Sequence, residues 1–132
     1  MDALHDFEIV GDRGYFRPSG SVSLDQGAKM IDAALRVACT GGLREVVVNV
    51  TGLTGFASPS VVNRYSFIKQ WASTARGRVR LALVARPEHI DPEKFGVTVA
   101  ANHGLDANVF VSEADAIAWL DRKPQARERT AS

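Results

Sequence analysis

The sequence predicts a single α/β domain built on a mixed, mostly parallel β-sheet with an N-terminal β-hairpin and about four helices. Three observations predict it. The chain has 132 residues, enough for one hydrophobic core. Hydrophobic residues make up 45% and charged residues 23%, the balance of a globular domain rather than a disordered or fibrous chain. After two opening strands, strand-like runs alternate with helix-period segments, the pattern of right-handed crossovers between parallel strands.

Phe7-Glu8-Ile9-Val10 and Tyr15-Phe16-Arg17 are short runs rich in aromatic and β-branched residues. Gly11-Asp12-Arg13-Gly14 between them supplies the glycines of a tight reversal, so the two form a hairpin. Pro18 has no N–H for a ladder and closes the second strand. Ser23-Leu24-Asp25-Gln26 fits a capping box, and Leu24, Ala28, Ile31, Leu35 and Ala38 then recur at helical spacing until Gly41-Gly42. Residues 45–50 are nearly continuous β-branched sequence, as in a strand covered on both faces. Gly52-Leu53-Thr54-Gly55 reads as an ordinary turn, and Ser58 before Pro59 marks the N-cap of a second helix with the apolar stripe Val61, Tyr65, Ile68 and Ala72. Gly77 ends that segment, residues 79–85 form another buried strand, and Arg86-Pro87-Glu88-His89 is a loop. Asp91-Pro92 and Gly104 frame a third helix, although Val97-Thr98-Val99 has strand-like composition. Asn108-Val109-Phe110-Val111 is a short strand, and Ser112-Glu113-Ala114-Asp115 opens a last helix with Ala116, Ile117 and Leu120 inside. The domain spans residues 1–122, and residues 123–132, without apolar period, form a mobile tail.

Sixteen Lys and Arg against fifteen Asp and Glu leave a net charge of +1, which argues against nucleic acid as a partner. No apolar run approaches the roughly twenty residues of a spanning helix, so no integral membrane segment is expected. The single cysteine and the start of the chain, which lacks a basic region followed by an apolar run, point to a cytoplasmic protein. His5, His89 and His103 show no ligand spacing with Cys, Asp or Glu, so neither a metal nor another cofactor is expected. Cys39 lies late in a helix, where the dipole opposes thiolate formation, and reads as a packed thiol. Nucleophile-elbow, phosphate-loop and dinucleotide signatures are absent, and the chain reads as non-enzymatic. Trp71 and Trp119 sit at helical spacing and read as core or half-buried residues.

One junction stands out. Residues 49–60 join the end of a central strand to a helix N-terminus, where ligands and switch chemistry gather in open α/β sheets. Ser58 there is open to two readings, a helix cap or a phosphate acceptor beside free backbone donors. Thr54, Phe56, Ser58, Ser60, Asn63 and Arg64 are the candidate partner-binding residues around it.

Three stretches carry a further signal: Ser19-Gly20-Ser21-Val22-Ser23-Leu24 after the hairpin, Val46-Val47-Val48-Asn49-Val50 before Thr51-Gly52-Leu53, and residues 109–120. Taken in order, they resemble a STAS domain, and more closely the stand-alone SpoIIAA-like proteins, the fold of bacterial anti-sigma-factor antagonists. The resemblance covers about residues 7 to 121. It implies a regulatory, protein-interaction domain, with an anti-sigma-type kinase as partner and Ser58 at the phosphorylated position. Ala57 stands where that family has an acid, Ser60 where it has a glycine, and Asn49 where aspartate is usual. The group's likeness to lipid-carrier domains implies the alternative of a small-molecule or lipid-binding module, which needs an apolar pocket of several hundred cubic ångströms. The hairpin's free edge makes a homo-oligomer a further expectation.

Overall fold

The computed structural model of the chain describes residues 5–122. In chain order its elements are β1 (Phe7–Val10), β2 (Arg13–Phe16), β3 (Ser19–Ser21), α1 (Leu24–Thr40), β4 (Glu45–Asn49), β5 (Gly52–Thr54), α2 (Val61–Ala75), β6 (Arg80–Val84), α3 (Phe95–Asn102), β7 (Ala107–Phe110) and α4 (Glu113–Asp121). The main sheet runs β1-β2-β4-β6-β7, with β1 antiparallel to β2 and every other pairing parallel. It is the mixed α/β architecture with an opening hairpin that the pattern of runs predicts.

Because β2, β4, β6 and β7 lie side by side in chain order, three right-handed crossovers carry α1, α2 and α3 onto the same face. Val46, Val48 and Leu81 meet those helices, with Leu35, Ile68, Trp71 and Val99 among the buried contacts. The indole N–H of Trp71 donates to the Ala28 carbonyl at 3.0 Å and ties α2 to α1. The opposite face, with Val47, Ala82 and Val84, is covered by Ala116 and Leu120 of α4. Each strand alternates sides, so the all-apolar run of β4 serves both layers.

Several boundaries differ from the sequence expectation, each for a local reason. The second strand starts at Arg13, which pairs with Val10, so the reversal is two residues long, with Gly11 at a φ of 65°. Gly52-Leu53-Thr54 is not a simple turn: it forms β5, paired in parallel with β3, and buries Leu53. Gly55 then leaves this pair at a φ of 100°, and a Cβ there would lie 2.7 Å from the Val22 carbonyl oxygen, so only glycine fits. The N-cap of α2 is Ser60, whose hydroxyl accepts from the Asn63 N–H at 3.1 Å, rather than Ser58. The expected stripe of α2 is also out of phase at its start. Ile68, Trp71, Ala72 and Ala75 are buried, and the same face continues back to half-buried Arg64, which leaves Val61 and Tyr65 outside. α3 begins at Phe95, after a turn that ends with Lys94 in the left-handed region. Asp91 still serves that helix, its carboxylate accepting from the Phe95 N–H at 2.8 Å. The tail expected over residues 123–132 lies outside the described residues.

Candidate functional site

Parallel strands deliver their following loops to one edge of a sheet, and here the connections after β4 and β6 meet at that edge. They are held together by named contacts. The Arg86 Nε donates to the Thr51 carbonyl at 3.0 Å, and the Phe56 ring stacks on the His89 imidazole at 5.0 Å. Arg64, in the first turn of α2, reaches both loops: its Nη2 donates to the Ser58 Oγ at 3.0 Å and to the His89 carbonyl at 3.4 Å.

The predicted site residues divide into two groups. Thr54, Ser58, Ser60 and Asn63 are exposed, but Ser60 and Asn63 are joined in the cap of α2, and the Thr54 hydroxyl contacts the Gly20 carbonyl at 3.5 Å. Phe56 and Arg64 are half-buried and line a cavity beneath the loops. Ser58 is left with its hydroxyl on the surface and one guanidinium beside it. An arginine donor cannot accept the hydroxyl proton, so this pair offers no general base. It does offer a counter-charge to any anion placed on Ser58.

Two features were not foreseen from the sequence. The first is an exposed apolar patch on α2 next to Ser58, where Val61, Val62 and Tyr65 are 60%, 75% and 43% exposed. The signal for it was present in the helical phase: a stripe traced back from Trp71 and Ile68 puts Arg64 inside and these three out. The second is the cavity itself, about 140 Å³ and open at the loop edge, lined by α1, α2, α3 and the facing strands, with Ile31, Leu53, Phe67, Ile68, Trp71 and Leu83 among its apolar walls. Sequence periodicity cannot reveal a void, because it records which side chains face inward and not whether they meet.

Asn49 ends β4 with a polar cluster on the α4 side of the edge. Its Oδ1 accepts from the Thr51 N–H and hydroxyl, at 3.0 and 2.7 Å, and its Nδ2 donates to Glu113 at 2.9 Å. Arg17 grips the same carboxylate through two nitrogens, at 2.8 and 3.0 Å. The Arg17 hydrogen bond, opposed by partial burial and helped by Asn49, holds the Glu113 carboxyl below the usual glutamate range.

The remaining candidates occupy structural positions. Cys39 is half-buried, with its Sγ 3.9 Å from the Ala75 carbonyl oxygen. His103 is the C-cap of α3, where its Nδ1 lies 3.0 Å from the Val99 carbonyl oxygen and its ring meets the edge of Tyr65. Trp71 is buried, and half-buried Trp119 lies under the Arg80 guanidinium at 4.5 Å. Among the described residues no group of three or more His, Cys, Asp or Glu could hold a metal ion, and no helix is long and apolar enough to cross a membrane.

No protein-family model matches the chain, and no curated protein matches it. Among solved structures it is similar to the NMR structure of the protein TM1081, at 14% sequence identity, with 93% of each chain covered and a TM-score of 0.48.

Proposed function

We propose that the chain is a STAS-like, non-enzymatic regulatory domain that docks a protein partner through the loop after β4 and the first turns of α2. One observation carries this reading: an exposed hydroxyl, Ser58, borders an exposed apolar patch of Val61, Val62 and Tyr65 at the loop edge of the sheet. Apolar side chains this exposed on a folded domain favour a partner that covers them. A phosphate added to Ser58 would bring up to two negative charges beside that patch, with Arg64 within reach to hold it. Such a group would change the charge of the docking surface without touching the core. The partner class that fits is a protein serine kinase of the anti-sigma type, which reads the patch and modifies the serine.

The test is co-purification from the native host with wild-type, Val62→Arg and Ser58→Glu baits, together with intact-mass and peptide mapping. The expected result is a kinase-type partner bound by the wild type, weakened at least tenfold by Val62→Arg, and a phosphate on Ser58. Recovery of no partner that distinguishes the wild type from Val62→Arg overturns the docking surface. An unmodified Ser58 in every growth condition removes phosphorylation alone.

A further inference from the structure

The cavity behind the docking loop has a chemistry of its own. Its walls are apolar, but the polar side chains that reach it are gathered where the loops enter: Arg64, His89, Asp91 and Lys94, with Asn108 from β7. Asp91 is occupied by the Phe95 N–H. Arg64 and Lys94 have no carboxylate partner among the described residues, since Arg64 donates to a hydroxyl and a carbonyl and Lys94 to the Asn108 side-chain oxygen at 3.1 Å. Arg64 and Lys94 thus set two cations against the Asp91 carboxylate at the rim of an apolar chamber.

Size narrows the occupant. At about 140 Å³ the space matches cavities that take a benzene-sized molecule and is well below the several hundred cubic ångströms of a pocket for larger ligands. A lipid acyl chain does not fit inside it. A guanidinium with spare N–H donors beside such a space matches a carboxylate at one end of a short apolar body.

We infer that this cavity binds a small apolar monocarboxylate, aliphatic or aromatic and of roughly six to eight carbons, with Arg64 taking the carboxylate at the rim and the chain or ring seated against Trp71. The site shares Arg64 with the proposed docking surface, but its test needs neither a protein partner nor a phosphate on Ser58, so the two readings fail independently.

Trp71 lies in the cavity wall, whereas Trp119 packs on the other face of the sheet, so a Trp119→Phe background makes Trp71 the fluorescence reporter. Hexanoate and benzoate are titrated against hexanol and benzyl alcohol, with octanoate and palmitate as longer acids, and binding is confirmed by calorimetry on the unmodified chain. The expected result is saturable binding of the short acids, about tenfold or more tighter than the matching alcohols. Arg64→Gln should bring the acids down to the alcohols' level with the circular dichroism spectrum unchanged, and Arg64→Lys should retain part of the preference. Affinity should level off by eight carbons. No saturable binding of any short acid, equal binding of acid and alcohol, or an acid affinity untouched by Arg64→Gln each overturns the site. A steady gain through palmitate overturns its size and points to acyl chains instead. Should Arg64→Gln fail to fold, the acid-to-alcohol comparison on the wild type decides the matter.

Discussion

Glu113 shows how one side chain can join three parts of the molecule. It opens α4, accepts two hydrogen bonds from Arg17 beyond the end of β2, and accepts a third from Asn49 at the end of β4. Its placement in the first helical turn also suits the positive end of the helix dipole. Because its carboxyl titrates below the usual range, the ionised form stabilises the fold in full above about pH 4.3, the value of an unfolded-chain glutamate. That contribution disappears as the pH falls through the lowered native value. We therefore expect Glu113→Gln to cost about 1 kcal/mol at pH 7, with the difference from wild type shrinking as the pH falls below about 4.3. Urea melts of both proteins across that range measure it, and a pH-independent gap would contradict the assignment. Asn49 has its own consequence here. An aspartate at this position would place a second carboxylate against Glu113, whereas the amide donates to Glu113 and accepts from Thr51 at once.

At the scale of elements, the start of α2 is where tertiary packing and local propensity part. Ser58 followed by Pro59 satisfies the sequence signature of a helix start, yet the helix begins two residues later because the Ser60 hydroxyl caps the Asn63 N–H. Local sequence offers two serine caps in this stretch. Seating Ile68, Trp71, Ala72 and Ala75 against the core fixes the phase of α2, and the loop contacts of Phe56 and Arg64 place the chain that enters it. The two serines separate cleanly by mutation. Ser60→Ala should destabilise the protein by about 1 kcal/mol through loss of the cap, while Ser58→Ala, which loses only an exposed contact with Arg64, should fall within about 0.5 kcal/mol of wild type. Thermal or chemical melts distinguish them, and the reverse order would return the cap to Ser58. α3 and the docking loop follow the same logic. Asp91 before Pro92 predicted a helix start there, but the N-cap falls at Lys94 and Asp91 only accepts from the Phe95 N–H, because the turn that delays the helix depends on where β6 leaves the sheet and where Ile68 meets Gly96.

For the whole molecule, the monotonic strand order has an energetic consequence. Three helices share one face of the sheet, and α4 is the helix packed on the other. That second layer is thin: Val47, Ala82 and Val84 meet Ala116 and Leu120, with Tyr15, Phe110, Ile117 and Trp119 around them. Leu120 is fully buried, and little nearby can move to fill its place. Leu120→Ala should cost about 3 kcal/mol, within the range for leucine truncation in a packed core, read from urea melts. A loss under about 1 kcal/mol would mean that α4 is not a firm part of the domain. The same order leaves no point where strands diverge to either side of a crevice, so the chamber lies between the helical layer and the sheet.

Hydrophobic period, caps and glycine stops are local properties, and they were enough to read the class of fold and the order of the main-sheet strands and helices, though not the β3–β5 pair. The capping box at Ser23, the doubly covered run at 46–48 and the opening of α4 at Ser112 are all visible in a few adjacent residues. The sequence also marked the neighbourhood of the site, since the loop after a central strand is where an α/β sheet presents chemistry. Only the tertiary structure decided that Phe56 and Arg64 turn inward while Val61, Val62 and Tyr65 stay outside, that 52–54 pairs with 19–21, and that the helices leave an apolar chamber beneath the loops. These depend on contacts between segments distant in the chain, and on volumes that several side chains fill together, neither of which any local pattern records.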